Sequence, residues 1–166
     1  MSANTEPTPP ESLFRDAMSQ FASGVTLVTT RGPDGQAYGF TASAFSSLSL
    51  HPPLVLVCMG ARATAYPVFM EATRFAISIL AEDQAHLARL FSTRGTDRFG
   101  DPAIFDSPHG LPVAAGALAR LDCALETRYP GGDHAVLIGR PLHIDLTPGK
   151  PLIHYDRALM GLDHDG

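Results

Sequence analysis

The stretch Gly39-Phe40-Thr41-Ala42-Ser43-Ala44-Phe45-Ser46-Ser47-Leu48-Ser49-Leu50-His51-Pro52-Pro53 concentrates hydroxyls at Thr41, Ser43, Ser46, Ser47 and Ser49. Hydroxyls at that density have two uses. They cap turns and bond nearby backbone. They also make a row of neutral donors for a polar, partly anionic ligand, able to hold ring oxygens, sugar hydroxyls or phosphate without a large positive charge. One histidine also stands out. His134 follows the turn Gly131-Gly132-Asp133 and precedes an extended run, so its ring can sit at the rim of a β-structure. A lone histidine in a turn is more often structural or merely exposed. His51, His86, His109, His143, His154 and His164 show no H-x-x-x-H spacing, and no metal site is expected. Cys58 and Cys123 are far apart with no C-x-x-C, and read as free thiols in a reducing compartment.

Several chemistries are excluded by what is missing. No G-x-G-x-x-G follows a strand, so a nicotinamide nucleotide would not use a Rossmann turn. There is no G-x-S-x-G elbow and no phosphate-cradling P-loop. Lys+Arg number 12 and Asp+Glu 17, a net charge of −5 that opposes attraction to nucleic acid or an anionic membrane. No apolar run of about 18 residues is present to span a bilayer. The start, MSANTEPTPPES, lacks a basic segment followed by an apolar one, and a cytoplasmic protein is expected.

The elements that must position these residues are mostly β. Residues 1–10 read as a mobile tail, 11–160 as one domain and 161–166 as a second tail. Glu11 to Phe21 places Leu13, Phe14, Ala17, Met18 and Phe21 on one helix face, with Ser12 as N-cap, and the stripe is expected to pack on something larger. Val25 to Thr30 is rich in β-branched residues, and Pro33-Asp34-Gly35 turns the chain toward a partner strand over Ala37 to Ser43. Leu54 to Met59 is continuously apolar and reads as a strand buried on both faces. Thr64 to Ala72 reads as a short helix capped by Thr64, Phe75 to Leu80 as a strand, and Asp83 to Phe91 as a helix. Residues 92–116 read as a long, functional loop. Leu118 to Tyr129 and His134 to Leu146 form a second hairpin, and Leu152 to Tyr155 a short final strand. Roughly six or seven strands with two or three helices, not regularly alternating, predict a mostly antiparallel barrel with peripheral helices.

Four motifs in order resemble one family. They are Phe14-Arg15 with Phe21-Ala22-Ser23-Gly24-Val25-Thr26-Leu27-Val28-Thr29; the hydroxyl-rich stretch with Pro52-Pro53; Gly132-Asp133-His134 with Val136-Leu137-Ile138-Gly139; and Pro151-Leu152-Ile153-His154-Tyr155. Over residues 13–158 the chain resembles the short-chain flavin reductases, the reductase components of two-component flavin monooxygenases. The resemblance implies an FMN-binding split β-barrel, antiparallel and Greek-key-like, usually a homodimer with flavin near the subunit interface. It implies reduction of free FMN or FAD by NADH or NADPH, with reduced flavin passed to a partner oxygenase.

By position, the resemblance places Thr41, Ala42 and Ser43 along the flavin ring and ribityl chain. It places Ser46, Ser47 and Leu48 at the pyrimidine side or ribityl hydroxyls, and Cys58 and Met59 beneath the flavin. Arg62, Ala63 and Thr64 stand where relatives carry a richer Ser/Thr pattern, and a guanidinium with a hydroxyl at a helix start suits the flavin phosphate. A solvated surface arginine is the plain alternative. Phe91, Ser92, Arg98 and Phe99 match the family's flavin-edge loop, though such residues also anchor ordinary loops. His134 would contact the nicotinamide, with Tyr155 and Arg157 near the dinucleotide or flavin.

The cofactors would carry the hydride chemistry, and the protein's part is to stack two rings and stabilise charge on reduced flavin through N–H groups and hydroxyls around Ser43 to Ser47. Two rival readings stay open: a flavoprotein that retains its flavin and acts on another small molecule, and a flavin-binding module without turnover.

Overall fold

The computed structural model describes residues 7–162. Most of the two expected tails, residues 1–6 and 163–166, lies outside the described residues. The helices are α1 (Glu11–Ser19), α2 (Tyr66–Glu71) and α3 (Ala85–Ser92), the last entered through a 3-10 turn at Glu82–Gln84. In chain order the first strands are β1 (Ser23–Gly24), β2 (Thr26–Arg31), β3 (Ala37–Ala42), β4 (Phe45–Leu50), β5 (Pro53–Gly60) and β6 (Arg74–Ile79). They are followed by β7 (Ile104–Asp106), β8 (Pro112–Ala114), β9 (Ala119–Gly131), β10 (His134–Leu146), β11 (Leu152–Tyr155) and β12 (Ala158–Gly161).

Seven strands form one antiparallel sheet in the order β3-β2-β6-β9-β10-β5-β4. It curls on itself, as the expected barrel requires. Val28, Phe40, Val57, Met59, Phe75, Ile77, Leu121 and Leu137 point inward from six of its strands, and α2 plugs one end with Phe69. Each large side chain removed from water contributes about 1.5–3 kcal/mol, and the Phe40 and Phe69 rings meet edge to face at 5.2 Å. A smaller core beneath α3 joins Leu87, Ala88 and Phe91 to Val25, Leu27 and Leu152. β1, β11 and β12 form a separate three-stranded sheet over that helix.

Several sequence expectations change. The apolar run of β5 is not buried on both faces. Val55, Val57 and Met59 are buried, while Leu54, Leu56 and Cys58 are only half-buried on the outer face. The segment 92–116 contains the hairpin β7–β8, clipped to the sheet by distant residues. Thr29 Oγ1 and Arg31 Nε donate to the carbonyls of Pro112 and Gly110, and His109 Nδ1 lies 2.8 Å from the buried Asp122 carboxylate. Pro10, not Ser12, stands at the N-cap of α1, and Ala65, not Thr64, at that of α2. The apolar stripe of α1 does not dock in a core: Leu13, Phe14 and Met18 stay exposed. β12 replaces the expected start of the C-terminal tail at Gly161.

Gly139 of β10 is dictated by packing. A Cβ there would lie 2.4 Å from Phe75 Cζ and 3.0 Å from Cys123 Cβ. Both neighbours are fully buried. Gly139→Ala is therefore expected to cost about 1–3 kcal/mol by overpacking, read as a lower urea midpoint. An unchanged midpoint would show that Phe75 moves aside freely.

Candidate functional site

The sheet's two edge strands, β3 and β4, are consecutive in the chain and are not paired with each other. Ser43 and Ala44 alone carry the chain across the gap. Each edge strand has a neighbour on one side only, so alternate N–H and C=O groups face the gap. An unsatisfied backbone edge is a ready site for a hydrogen-bonding ligand. Ser43, Ala44, Ser46, Ser47 and Leu48 are exposed here, and the hydroxyl row does not lie in a dry core.

Over this seam lies a cavity of about 790 Å³. Its floor is Leu56 and Cys58, its rim Ser43, Phe45 and Ser46, and its far wall Phe14, Met18 and Phe21 from α1 and the turn beyond it. The floor follows from strand register. Ser46 pairs with Leu56, Val136 with Cys58 and His134 with Gly60, which puts all six on one face of β4-β5-β10. His134 thus shares the cavity's sheet face, one cross-strand pair beyond Cys58, or about 7 Å along the strand.

The cavity opens into a trough. A recess of about 310 Å³ shares Ser43, His154 and Arg157 with it and adds Thr41, Arg89 and Ser92. A further recess of about 310 Å³ shares Thr41 and Ser92 and adds Gly60, Arg62, Thr64, Arg94 and Arg98. Arg62, Arg89, Arg94 and Arg98 have no carboxylate within ion-pair distance among the described residues. Instead Arg94 Nη2 donates to Arg62 O at 3.1 Å, and Arg98 donates to Gly39 O at 3.0 Å and Thr93 O at 3.1 Å. Backbone bonds hold these guanidiniums without cancelling their charge. An acidic chain therefore carries a local positive pole at one end of a trough whose broad end holds only arginines paired with carboxylates, Arg15 with Glu11 and Arg157 with Asp16.

Three hydroxyls already donate to backbone: Thr41 to Ala88 O at 2.6 Å, Ser92 to Arg89 O at 2.9 Å, and Ser46 to Ser47 O at 3.0 Å. Their lone pairs remain available to accept. Asp133 Oδ1 lies 2.7 Å from His134 Nδ1. That hydrogen bond and the histidine's charge, with Arg62 nearby, hold the Asp133 carboxyl below its usual range, so it is ionised at neutral pH. Arg157 sits on the two-residue turn between β11 and β12, where Asp156 (φ 45°) and Arg157 (φ 64°) both adopt the left-handed conformation. It is held by Asp16 of α1, and Asp156 N donates to Ser19 O at 3.0 Å. The turn and α1 together close one side of the trough.

The trough gathers Thr41, Ser43, Ser46, Cys58, Arg62, Ala63, Thr64, Phe91, Ser92, Arg98 and Arg157. Phe99 meets Phe91 edge to face at 5.2 Å and lines the next recess along. Ala42 and Met59 do not line it, because strand alternation turns both into the barrel core. Ser47 and Leu48 lie further along β4, with a bulge between Ser47 and Ser49, and Tyr155 projects from β11 outside the recesses. Sequence reasoning missed His154, Arg89 and Arg94, and the wall made by α1. Three arginines within ten residues of an acidic chain, Arg89 to Arg98, were the available signal.

A family model described as "Flavin reductase like domain" matches residues 18–163. The actinorhodin polyketide dimerase of Streptomyces coelicolor is 38% identical over 154 residues, covering 92% of this chain and 86% of that protein. The reductase component of 4-nitrophenol 4-monooxygenase/4-nitrocatechol 2-monooxygenase from Rhodococcus opacus is 42% identical over 142 residues, covering 86% and 76%. Among solved structures, the NADH:FAD oxidoreductase of Streptomyces globisporus in complex with NAD and FAD fragments is similar at a TM-score of 0.88 and 32% identity, over 97% of this chain and 99% of that one. Some relatives are longer, and the chain spans 53% of one solved structure.

The two thiols differ in environment. Burial, with the Asp122 charge adding to it, pushes Cys123 up to about 12, while Cys58 is half-buried in the cavity floor. A thiol reagent at neutral pH is expected to modify one cysteine per native chain and two per unfolded chain. Two fast thiols in the native protein would contradict this placement.

Proposed function

The chain belongs to the flavin reductase like domain family, and from that premise we propose that it is an NAD(P)H:flavin oxidoreductase that reduces FMN or FAD and supplies a partner monooxygenase. The observation that carries the reading is the grading of the trough. A broad, mainly apolar cavity at an unpaired sheet edge narrows past hydroxyls and ends at uncompensated guanidiniums. A flavin has the same order of parts: a flat ring with a hydrogen-bonding edge, a polyol chain and a phosphate.

The cofactors supply the redox chemistry, a hydride passing from nicotinamide to flavin. The residues supply placement. Leu56 and Cys58 exclude water beneath the ring. The seam's N–H groups and the Ser43 and Ser46 hydroxyls would face the edge where reduction builds negative charge. Arg62, Arg94 and Thr64 take the phosphate. His134, oriented by Asp133, stands on the sheet face along which the nicotinamide nucleotide approaches. No acid–base residue is required at the reacting atoms. The flavin must leave after reduction, so an open trough with moderate affinity suits it better than a closed one.

The exposed apolar residues support a homodimer. Leu142, Ile144 and Leu146 alternate along the free extension of β10, and Leu13, Phe14, Met18 and Phe21 along α1 and its exit. Apolar stripes of this kind mark association surfaces. Sedimentation is expected to give twice the chain mass, and a monomer at micromolar concentration would remove this part of the proposal. No described helix is long and apolar enough to cross a membrane.

The reaction is tested by NADH and NADPH oxidation with excess free FMN or FAD. Turnover is expected. His134→Ala is expected to raise the KM for the nicotinamide nucleotide about tenfold, a loss of about 1.4 kcal/mol, with flavin KM within about twofold. An unchanged nucleotide KM would remove His134 from its role, and no turnover with either flavin would remove the activity.

A further inference from the structure

Arg94 stands on a loop that packing does not hold. Thr93-Arg94-Gly95-Thr96-Asp97 offers no apolar side chain and is exposed throughout, and Gly95 turns it at a φ of 75°. Such a segment keeps one conformation only through hydrogen bonds that offset its conformational entropy. Arg98 supplies them. Its Nε donates to Thr93 O at 3.1 Å, its Nη2 donates to the same carbonyl, and its Nη1 donates to Gly39 O of β3 at 3.0 Å. One planar fork thus closes the loop on itself and ties it to the sheet. Thr93 caps the C-terminus of α3, so the guanidinium also stands where the helix dipole favours a cation. The next residue, Phe99, fixes the far end of the loop against the buried ring of Phe91.

We propose that Arg98 is a positioning residue for the flavin phosphate: it sets the loop, and the loop presents Arg94. The inference rests on the flavin reading of the trough and adds to it a residue that acts through another. Arg94 Nη2 donates to Arg62 O at 3.1 Å, so the ordered loop joins the turn after β5 and sets two guanidiniums side by side. Both line the recess that holds Thr64. Arg98 lines that recess too, yet each of its three side-chain nitrogens already donates to a carbonyl. Its charge and its placing of the loop are separable. A lysine keeps the charge but has one nitrogen and no rigid fork, so it cannot hold Thr93 O and Gly39 O together in the same way.

The test is steady-state NADH oxidation by the full-length protein with FMN and with riboflavin, which lacks the phosphate. Arg98→Lys and Arg94→Ala are each expected to raise the FMN KM about fivefold, while the riboflavin KM and the NADH KM measured with riboflavin stay within about twofold. The double variant R94A/R98K is expected to show the same rise of about fivefold and not the product of two, because both changes remove one placed guanidinium. Trypsin is expected to cut after Arg94 several-fold faster in Arg98→Lys than in the native protein. An FMN KM left unchanged by Arg98→Lys would overturn the proposal, because charge alone would then suffice. So would a riboflavin KM that rises in step with that for FMN, effects that multiply in the double variant, or tryptic cleavage no faster than native. Failure to reduce either flavin would overturn the activity itself, a result distinct from reduction that is indifferent to Arg98.

Discussion

The structure depends on a seam that its barrel leaves open. Seven antiparallel strands pair in one sheet whose two edge strands, β3 and β4, meet without pairing. Buried or half-buried N–H and C=O groups must find partners, and an open edge invites another chain. This protein places small hydroxyl residues at that edge and roofs it with the apolar side of α1. The seam thereby becomes a hydroxyl-edged cavity with an apolar roof. The rest of the site follows from where the chain leaves the two edge strands.

Charge is arranged along the same line. The chain is acidic overall, at −5, yet four guanidiniums gather beyond Ser92 and Thr64 without carboxylate partners among the described residues. Such a pole draws the phosphate end of a ligand and fixes which way round the ligand lies. At the opposite end the apolar floor excludes water and leaves a flat surface for stacked rings. The charged and the apolar ends of the trough are thus built from separate groups.

Much of the barrel was legible because its inward faces obey simple alternation. β2, β6 and the β9–β10 hairpin are marked by β-branched residues and by the Pro130-Gly131-Gly132-Asp133 turn. The error at β5 is instructive. Leu56 and Cys58 floor a cavity, and in sequence such a floor looks the same as a core. β7 and β8 were hidden because they are three residues long and are held by bonds from Thr29 and Arg31, some eighty positions away. β12 follows a turn of Asp156-Arg157 instead of the glycine-rich pair that announces a tight hairpin. Of the residues that line the trough, Thr41, Ser43, Ser46, Cys58 and Ser92 came from sequence, whereas His134 lines none of its recesses. Arg89, Arg94 and His154 became visible only when the fold brought them to the trough.

The seam is tested most directly by amide hydrogen exchange, residue by residue, with and without saturating FMN. Exchange is expected to slow across Ser43–Leu48 and at Arg62–Thr64, while the already paired amides of β6 stay as they were. Saturated flavin with unchanged exchange along Ser43–Leu48 would contradict the account, because the ligand would then be held elsewhere.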